Sequence, residues 1–77
     1  MKTRLLGYRH LNFKNDSGDI IDGTQVFCSF TSEAVEGEET GKFFLKTGVI
    51  EAPMLIPGEF YEAGFNSRGK IISFTEL

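Results

Sequence analysis

Alternating apolar and polar positions recur in several short stretches of this chain. Alternation with a period of two is typical of a β-strand with one buried face. The predicted strands, one to five, cover residues 3–14, 19–31, 41–47, 59–65 and 70–76. No stretch keeps an apolar period of 3.6 residues, so no helix is predicted. The pattern therefore predicts an all-β protein.

Turn-forming residues separate the predicted strands. Asn-Asp-Ser-Gly at 15–18 and Asn-Ser-Arg-Gly at 66–69 are typical of tight turns, and Pro57-Gly58 marks a turn before strand four. The polar segment at 32–40 is predicted to be a loop between strands two and three. Strands one and two, and strands four and five, are therefore predicted to form hairpins.

Two glycines, Gly7 and Gly23, lie inside predicted strands. A glycine within a strand often marks a bulge or a sharp bend, which a strongly curled sheet needs. Five strands leave two open edges unless the sheet closes on itself. We therefore expect one domain, residues 1–77, folded as a small five-stranded curled barrel of the OB-like class, with an SH3-like barrel as the alternative.

Strand three has two chemically different faces. Phe43 and Leu45 share an apolar face, which is predicted to enter the core, whereas Lys42, Phe44 and Lys46 share the other. An aromatic ring between two cations suits a surface that stacks a nucleobase and neutralises the neighbouring phosphates. The alternative is that Phe44 is half-covered by a neighbour and that the lysines keep an edge strand soluble.

Charge is segregated along the chain. The formal net charge is −3 at pH 7, but residues 1–14 contain only basic charges and residues 15–41 only acidic ones. Such segregation can give a folded molecule one basic face despite an acidic total. Four glutamates lie in the loop at 32–40. This loop is predicted to be solvated, and a DNA-mimicking or partner-binding tip is the alternative.

Residues for catalysis or metal binding are scarce. The chain has one histidine, His10, and one cysteine, Cys28, which falls on the apolar face of strand two and is predicted to be a buried thiol. Nothing supplies the third group of a nucleophilic site, and no metal-ligand spacing or glycine-rich phosphate loop is present. We therefore expect no enzyme activity, cofactor, metal or small-molecule substrate.

The redox and membrane signals are equally sparse. A single cysteine excludes a disulfide within the chain, whereas a small secreted domain usually has several. No apolar run has the length of a signal peptide or of a membrane span. We expect a cytoplasmic protein without membrane contact.

Several short motifs together resemble a known family. They are Gly7-Tyr8-Arg9, Gly23-Thr24, Phe-Phe-Leu-Lys at 43–46, Pro57-Gly58 and Asn-Ser-Arg-Gly-Lys at 66–70. Over roughly residues 4–74 the chain resembles small single-stranded DNA-binding proteins of the gene V type, the helix-destabilising proteins of filamentous phages, and their relatives in Gram-positive phages and mobile elements.

This resemblance implies a five-stranded OB-type barrel, usually a symmetric dimer, that coats single strands cooperatively with exposed aromatic and basic residues. The family tends to be neutral or basic, whereas this chain is acidic. Because binding to phosphates needs several cations near the nucleic acid, the acidic loop at 33–39 would have to point away from the bound nucleic acid.

Ten residues are candidates for contact with nucleic acid. They are Arg4, Tyr8, Arg9, Lys14, Phe27, Lys42, Phe44, Lys46, Arg68 and Lys70. By the resemblance, Tyr8 and Arg9 match an aromatic–basic step in strand one, and Arg68 and Lys70 match a basic hairpin tip. A dimer interface is an equally open role for Tyr8 and Phe27.

The sequence thus predicts a sequence-tolerant single-stranded DNA-binding protein, with RNA as a possible ligand. We expect a homodimer that assists DNA replication in a phage or mobile element. The alternative is a small protein-binding accessory or regulatory module that uses the acidic loop or an exposed strand edge.

Overall fold

A computed structural model describes all 77 residues of the chain. Its strands are β1 (Lys2–Lys14), β2 (Ile20–Thr31), β3 (Glu38–Lys46), β4 (Phe60–Phe65) and β5 (Ile71–Glu76). There is no helix, and hence none that is long and apolar enough to cross a membrane. The all-β class and the five strands are confirmed. Strand β3 begins earlier than predicted, so Glu38 and Glu39 belong to a strand and not to the loop.

The strands form one antiparallel sheet in the order β3-β2-β1-β4-β5. Strands β1 to β3 follow one another as a meander, and β4 returns to lie beside β1. This is Greek-key connectivity, in keeping with a small OB-like fold. The β1–β4 ladder is short and runs from Lys2 to Arg4 on β1.

The sheet curls but does not close, which corrects the expectation of a closed barrel. β5 comes near β3, yet no ladder of hydrogen bonds joins these two edge strands. β4 and β5 have six residues each, whereas β1 has 13 and β2 has 12. The short hairpin therefore covers only part of the long sheet, and both edges stay open.

The predicted bulge at Gly7 is confirmed. Leu5 pairs with Cys28 and Gly7 pairs with Phe27, so Leu6 is the extra residue. The bulge reverses the alternation of β1, because a side chain two positions beyond Leu5 no longer points to the same face. This reversal explains why Arg9 in the second half of the strand points away from the core.

Gly23, in contrast, is not a bulge, because the register runs through it without a shift on both sides. A Cβ at Gly23 would lie 2.5 Å from the carbonyl oxygen of Leu45 and 2.5 Å from Cζ of Phe44. Close approach of a neighbouring strand and ring, not bending, explains this glycine.

A second bulge lies in the β4–β5 hairpin and was not predicted. Gly64 pairs with Ser73 and Phe65 pairs with Ile71, which leaves Ile72 unpaired. Strict alternation along residues 70–76 would place Ile71 and Phe74 on opposite faces, whereas the extra residue brings both side chains to the core.

The two hairpin turns lie where they were predicted and have the same hydrogen-bonding pattern. Oδ1 of Asn15 and Oδ1 of Asn66 each accept hydrogen bonds from the backbone amides two and four residues further along. Gly18 and Gly69 then adopt the left-handed conformation, with φ of 86° and 78°. Asparagine and glycine at these spacings therefore set both hairpins locally.

One cluster of buried side chains forms the core. Its members are Leu5, Val26, Cys28, Leu45, Ile50, Tyr61, Ala63 and Phe74. The Tyr61 ring stacks on the Phe74 ring with centroids 5.0 Å apart. The Tyr61 hydroxyl donates to the carbonyl of Met54 and accepts from the amide of Ile56. These bonds tie the irregular segment before β4 to the core.

Candidate nucleic-acid interface

The side of β1–β3 that points away from the core is called the outer face here. Leu45 is buried and Phe43 packs against the core, as predicted for one side of β3. Lys42, Phe44 and Lys46 therefore lie on the outer face, because side chains alternate along a strand. The predicted ring between two cations is present there.

Strand register organises the middle of the outer face into three cross-strand rows. Read from β1 through β2 to β3, the rows are Gly7–Phe27–Lys42, Arg9–Gln25–Phe44 and Leu11–Gly23–Lys46. Each row contains one cation, and the two aromatic rings occupy neighbouring rows. Phe27 and Phe44 are diagonal neighbours, for which a separation of about 7–8 Å is typical.

Arg9 is held in position on the outer face. Its Nε donates a 2.9 Å hydrogen bond to Oε1 of Gln25, the residue directly opposite. Its guanidinium carbon lies 5.9 Å from the centroid of the Phe27 ring, within the range of a cation–π contact. Gln25 thus orients a charge beside one of the two rings.

Phe44 is half-buried, and its ring lies over Gly23, as the close approach of Cζ to a Cβ built there shows. The half-covered Phe44 that the sequence offered as an alternative is therefore real. A neighbouring backbone is one source of the cover, and part of the ring remains accessible. The ring is thus supported against the sheet without being enclosed in the core.

No acidic side chain occupies the three rows. The acid on the outer face of β3 is Glu38, four residues from Lys42, which corresponds to about 13 Å along a strand, and its carboxylate accepts a 3.3 Å hydrogen bond from the Ser29 hydroxyl beside the row of Phe27. The acidic loop at 32–37 precedes Glu38 and so joins the sheet at that same end. Asp22 and Glu39 belong to the other face of the sheet. They pair with Asn12 and Phe30, respectively. The middle of the outer face is therefore basic although the chain is acidic.

Six of the ten predicted contact residues share the outer face. They are Arg4, Arg9, Phe27, Lys42, Phe44 and Lys46. Arg4 lies beyond the bulge, opposite Ser29, and the other five lie in the three rows. The structure thus brings together the residues of strands one to three that carry the predicted stacking and charge.

The other four residues lie elsewhere. Tyr8 pairs with the buried Val26, and its ring meets the His10 ring edge-on with centroids 6.0 Å apart. The bulge thus places Tyr8 on the core side of the sheet, at an uncovered margin. Lys14, the last residue of β1, belongs to the same face of the strand as Tyr8. Arg68 lies in the β4–β5 turn and Lys70 directly follows it, outside the ladders of β1–β3.

Phe60 belongs to the outer face but was not among the predicted contacts. It lies directly opposite Arg4 in the β1–β4 ladder and is 47% exposed. Nζ of Lys2 lies 4.7 Å from the centroid of its ring. Alternation with the buried Tyr61 and Ala63 directs Phe60 away from the core, but only the β1–β4 pairing shows that it adjoins the basic residues of β1.

The remaining reactive groups suggest no second site. Burial raises the pKa of the Cys28 thiol, and a hydrogen bond with Thr3 opposes this shift in part. A buried, protonated thiol is a poor nucleophile and a poor metal ligand. His10 faces the Thr24 hydroxyl at 3.0 Å, and no three His, Cys, Asp or Glu side chains are grouped as a metal site would require.

Comparison with family models, with curated proteins and with solved structures finds no match to this chain. The functional proposal below therefore depends on the geometry and charge of the outer face.

Proposed function

We propose that this protein binds single-stranded nucleic acid in a sequence-tolerant manner through the outer face of β1–β3. The observation that carries the proposal is the row pattern, in which Phe27 and Phe44 stand in neighbouring rows beside Arg9, Lys42 and Lys46. Stacking of one base on an aromatic ring contributes about 1–3 kcal/mol, and every base has a face that can stack.

The acidic total charge does not oppose this function at short range. Glu38, the acid on the outer face of β3, is four residues from Lys42, about 13 Å along a strand, and its carboxylate is bonded to Ser29; exposed charges more than about 10 Å apart are largely screened at 0.1 M salt. The three cations in the rows therefore act locally on phosphates. With so few cations, we expect moderate affinity and a modest dependence on salt.

Sequence tolerance follows from the donors and acceptors on this surface. Gln25 is the amide side chain in the three rows, and its carbonyl oxygen already accepts from Arg9. Base-specific readout needs several free hydrogen-bonding groups aimed at base edges. The rows offer rings and cations instead, which hold a strand by its bases and phosphates irrespective of sequence.

A role as a replication accessory of a phage or mobile element, acting in the cytoplasm, belongs to the same proposal. It is supported by the resemblance of the short motifs to gene V-type proteins. Homodimerisation is also proposed, because Phe13 and Ile20 near the β1–β2 turn are exposed at 50% and 68%. Sedimentation that shows a monomer at high protein concentration would remove the dimer without affecting the binding face.

Fluorescence anisotropy tests the binding proposal directly. A labelled oligothymidylate, its ribose counterpart and a duplex of the same length are titrated at two salt concentrations. We expect binding to single strands that weakens with salt, and little binding to the duplex, because its bases are not free to stack. Equal binding to the duplex, or no binding at low salt, would contradict the proposal.

A second candidate is a protein-binding module, and the open sheet favours it. β3 and β5 are edge strands without a partner on their outer sides. An extended peptide can add to such an edge through backbone hydrogen bonds. Binding of a protein partner that is insensitive to salt and unaffected by Phe44→Ala would support this candidate over single-strand binding.

A further inference from the structure

Gly7 follows the bulge of β1, but it is the one glycine that neither a positive φ nor close packing requires. The chain has nine glycines, and five of them have positive φ values. A side chain at Gly23, Gly41 or Gly64 would press on neighbouring atoms at 3.2 Å or less. Gly7 has no positive φ, and a Cβ built there meets nothing within 4 Å. The fold itself therefore has room for a side chain at this position.

The space left open at Gly7 lies on the outer face, beside Phe27. Gly7 and Phe27 are direct cross-strand partners. Beside Phe27, a concavity of about 430 Å³ is lined by Leu6 of β1, the neighbour of Gly7, and by Thr40 and Lys42 of β3, among others. Phe27 thus adjoins the bare backbone of Gly7 and a concavity that extends from Leu6 to Lys42. A glycine within a strand often marks a place where a ligand approaches the main chain closely.

The charges around Phe27 are those that suit a nucleotide. The Arg9 guanidinium lies 5.9 Å from the ring centroid, and Lys42 stands directly opposite Phe27 on β3. No acid lies in this row or in that of Arg9, and on the other side the Glu38 carboxylate is bonded to Ser29, two residues from Phe27. The site therefore offers a ring for a base and a cation on each side for a phosphate.

On the basis of the single-strand binding inferred above, we propose that Gly7 and Phe27 form one nucleotide position. The base stacks on Phe27, and the sugar–phosphate backbone passes over the bare main chain of Gly7. Arg9 and Lys42 neutralise the adjoining phosphates. A side chain at Gly7 would hold the nucleic acid away from the Phe27 ring, although the protein would still fold.

The test places a leucine at Gly7 and measures binding of a labelled oligothymidylate of about 20 nucleotides. We expect Gly7→Leu to lower the affinity at least tenfold with little change in melting temperature, because the Cβ has free space. Asn12→Leu is the matched control. It places the same leucine side chain, without a gain in bulk, at an exposed position of β1 on the other face, and should bind as the wild type does.

A double mutant shows whether Gly7 and Phe27 serve the same nucleotide. If they do, the losses caused by Gly7→Leu and Phe27→Ala are not additive, since a strand already held off the ring gains little from it. Additive losses would overturn the shared position. Unchanged binding of Gly7→Leu, with the wild type still bound, would overturn the role of Gly7 and leave the proposed function standing.

Two further outcomes are decisive. If the wild type does not bind the oligonucleotide at low salt, the proposed function fails, and the nucleotide position fails with it. If Gly7→Leu does not fold, amide chemical shifts of the wild-type protein replace it. Shifts of the Gly7 and Phe27 signals on titration with oligothymidylate support the position, and unmoved signals contradict it.

Discussion

Adjacent phenylalanines in β3 have opposite environments. Phe43 packs against the core and meets the Phe65 ring edge-on with centroids 5.3 Å apart. Phe44 lies over Gly23 on the outer face. A single peptide unit thus separates a residue that stabilises the domain from one proposed to bind ligand, because side chains alternate along a strand.

We expect Phe44→Ala to weaken single-strand binding by about 1–3 kcal/mol while the protein stays folded. Phe43→Ala should instead cost about 3 kcal/mol of unfolding free energy, because it removes a ring packed on the core. Anisotropy and denaturant unfolding measure the two effects. Phe44→Tyr keeps a ring and is the control for binding. If both alanine variants merely unfold the protein, Phe44 is a structural residue.

The buried thiol links stability to alkaline pH. Burial raises the pKa of Cys28 in the folded state above that of an ordinary thiol, which is about 8.5. The group therefore contributes its full stability below the unfolded-state pKa, and this contribution is lost as the pH rises towards the folded-state pKa.

Above about pH 8.5 we expect the unfolding free energy of the wild type to fall faster with pH than that of Cys28→Ala. The difference in slope is at most about 1.4 kcal/mol per pH unit, the value for one proton. Denaturant unfolding of both proteins between pH 7 and pH 10 measures it. Because both contain the same tyrosines and lysines, parallel curves would show that the thiol is not desolvated.

At the scale of elements, the irregular segment between β3 and β4 is tied down by one hydroxyl group. Tyr61 bonds with Met54 and Ile56 at 2.7 and 2.8 Å, and Ile50 enters the core from the same segment. A tyrosine in a short strand thus supplies partners to backbone groups that have no ladder.

Tyr61→Phe should lower the unfolding free energy by about 1–3 kcal/mol, because two backbone groups lose a buried partner. Hydrogen exchange should also speed up at the amide of Ile56, which loses its acceptor. Tyr8→Phe is the control, since the Tyr8 side chain is exposed and its loss of a hydroxyl should change stability by less than about 0.5 kcal/mol. Equal stability of both variants would show that water replaces the hydroxyl.

At the scale of the whole molecule, folding separates the charges that the chain already segregates. The basic positions of β1 and β3 meet on the outer face because β2 lies between them and is in register with both. The acidic loop joins the sheet at the far end of β3. A chain of net charge −3 therefore presents a basic patch.

The salt dependence of binding should reflect how many cations of this basic patch contact phosphates. With three cations at the phosphates, the logarithm of the affinity should fall with the logarithm of salt with a slope of about −2. Lys42→Ala should reduce the magnitude of this slope by about 0.7, because one fewer counterion is released. Lys14→Ala, which lies outside the rows, should leave the slope unchanged. If Lys14→Ala changes the slope as much as Lys42→Ala does, the nucleic acid does not follow the three rows of the outer face.

The sequence predicted most of the local structure. Asparagine and glycine spacing predicted both hairpin turns, and alternation placed Phe43, Phe44 and Leu45 correctly. These features depend on neighbours within a few residues, so a pattern along the chain contains them. The unpredicted bulge at Ile72 was missed because no glycine at Ile72 signals it.

By itself, then, the sequence determined the five strands, their turns and the two faces of β3. Only the tertiary structure decided that the sheet stays open, that Tyr8 lies away from Phe27, and that Phe60 adjoins Arg4. The open sheet and the pairing of Phe60 with Arg4 depend on strands far apart in the chain, whereas the position of Tyr8 depends on the extra residue Leu6, which reverses the faces of β1 beyond it. The physical reason is that register joins residues by hydrogen bonds across strands, which alternation along a single strand does not specify.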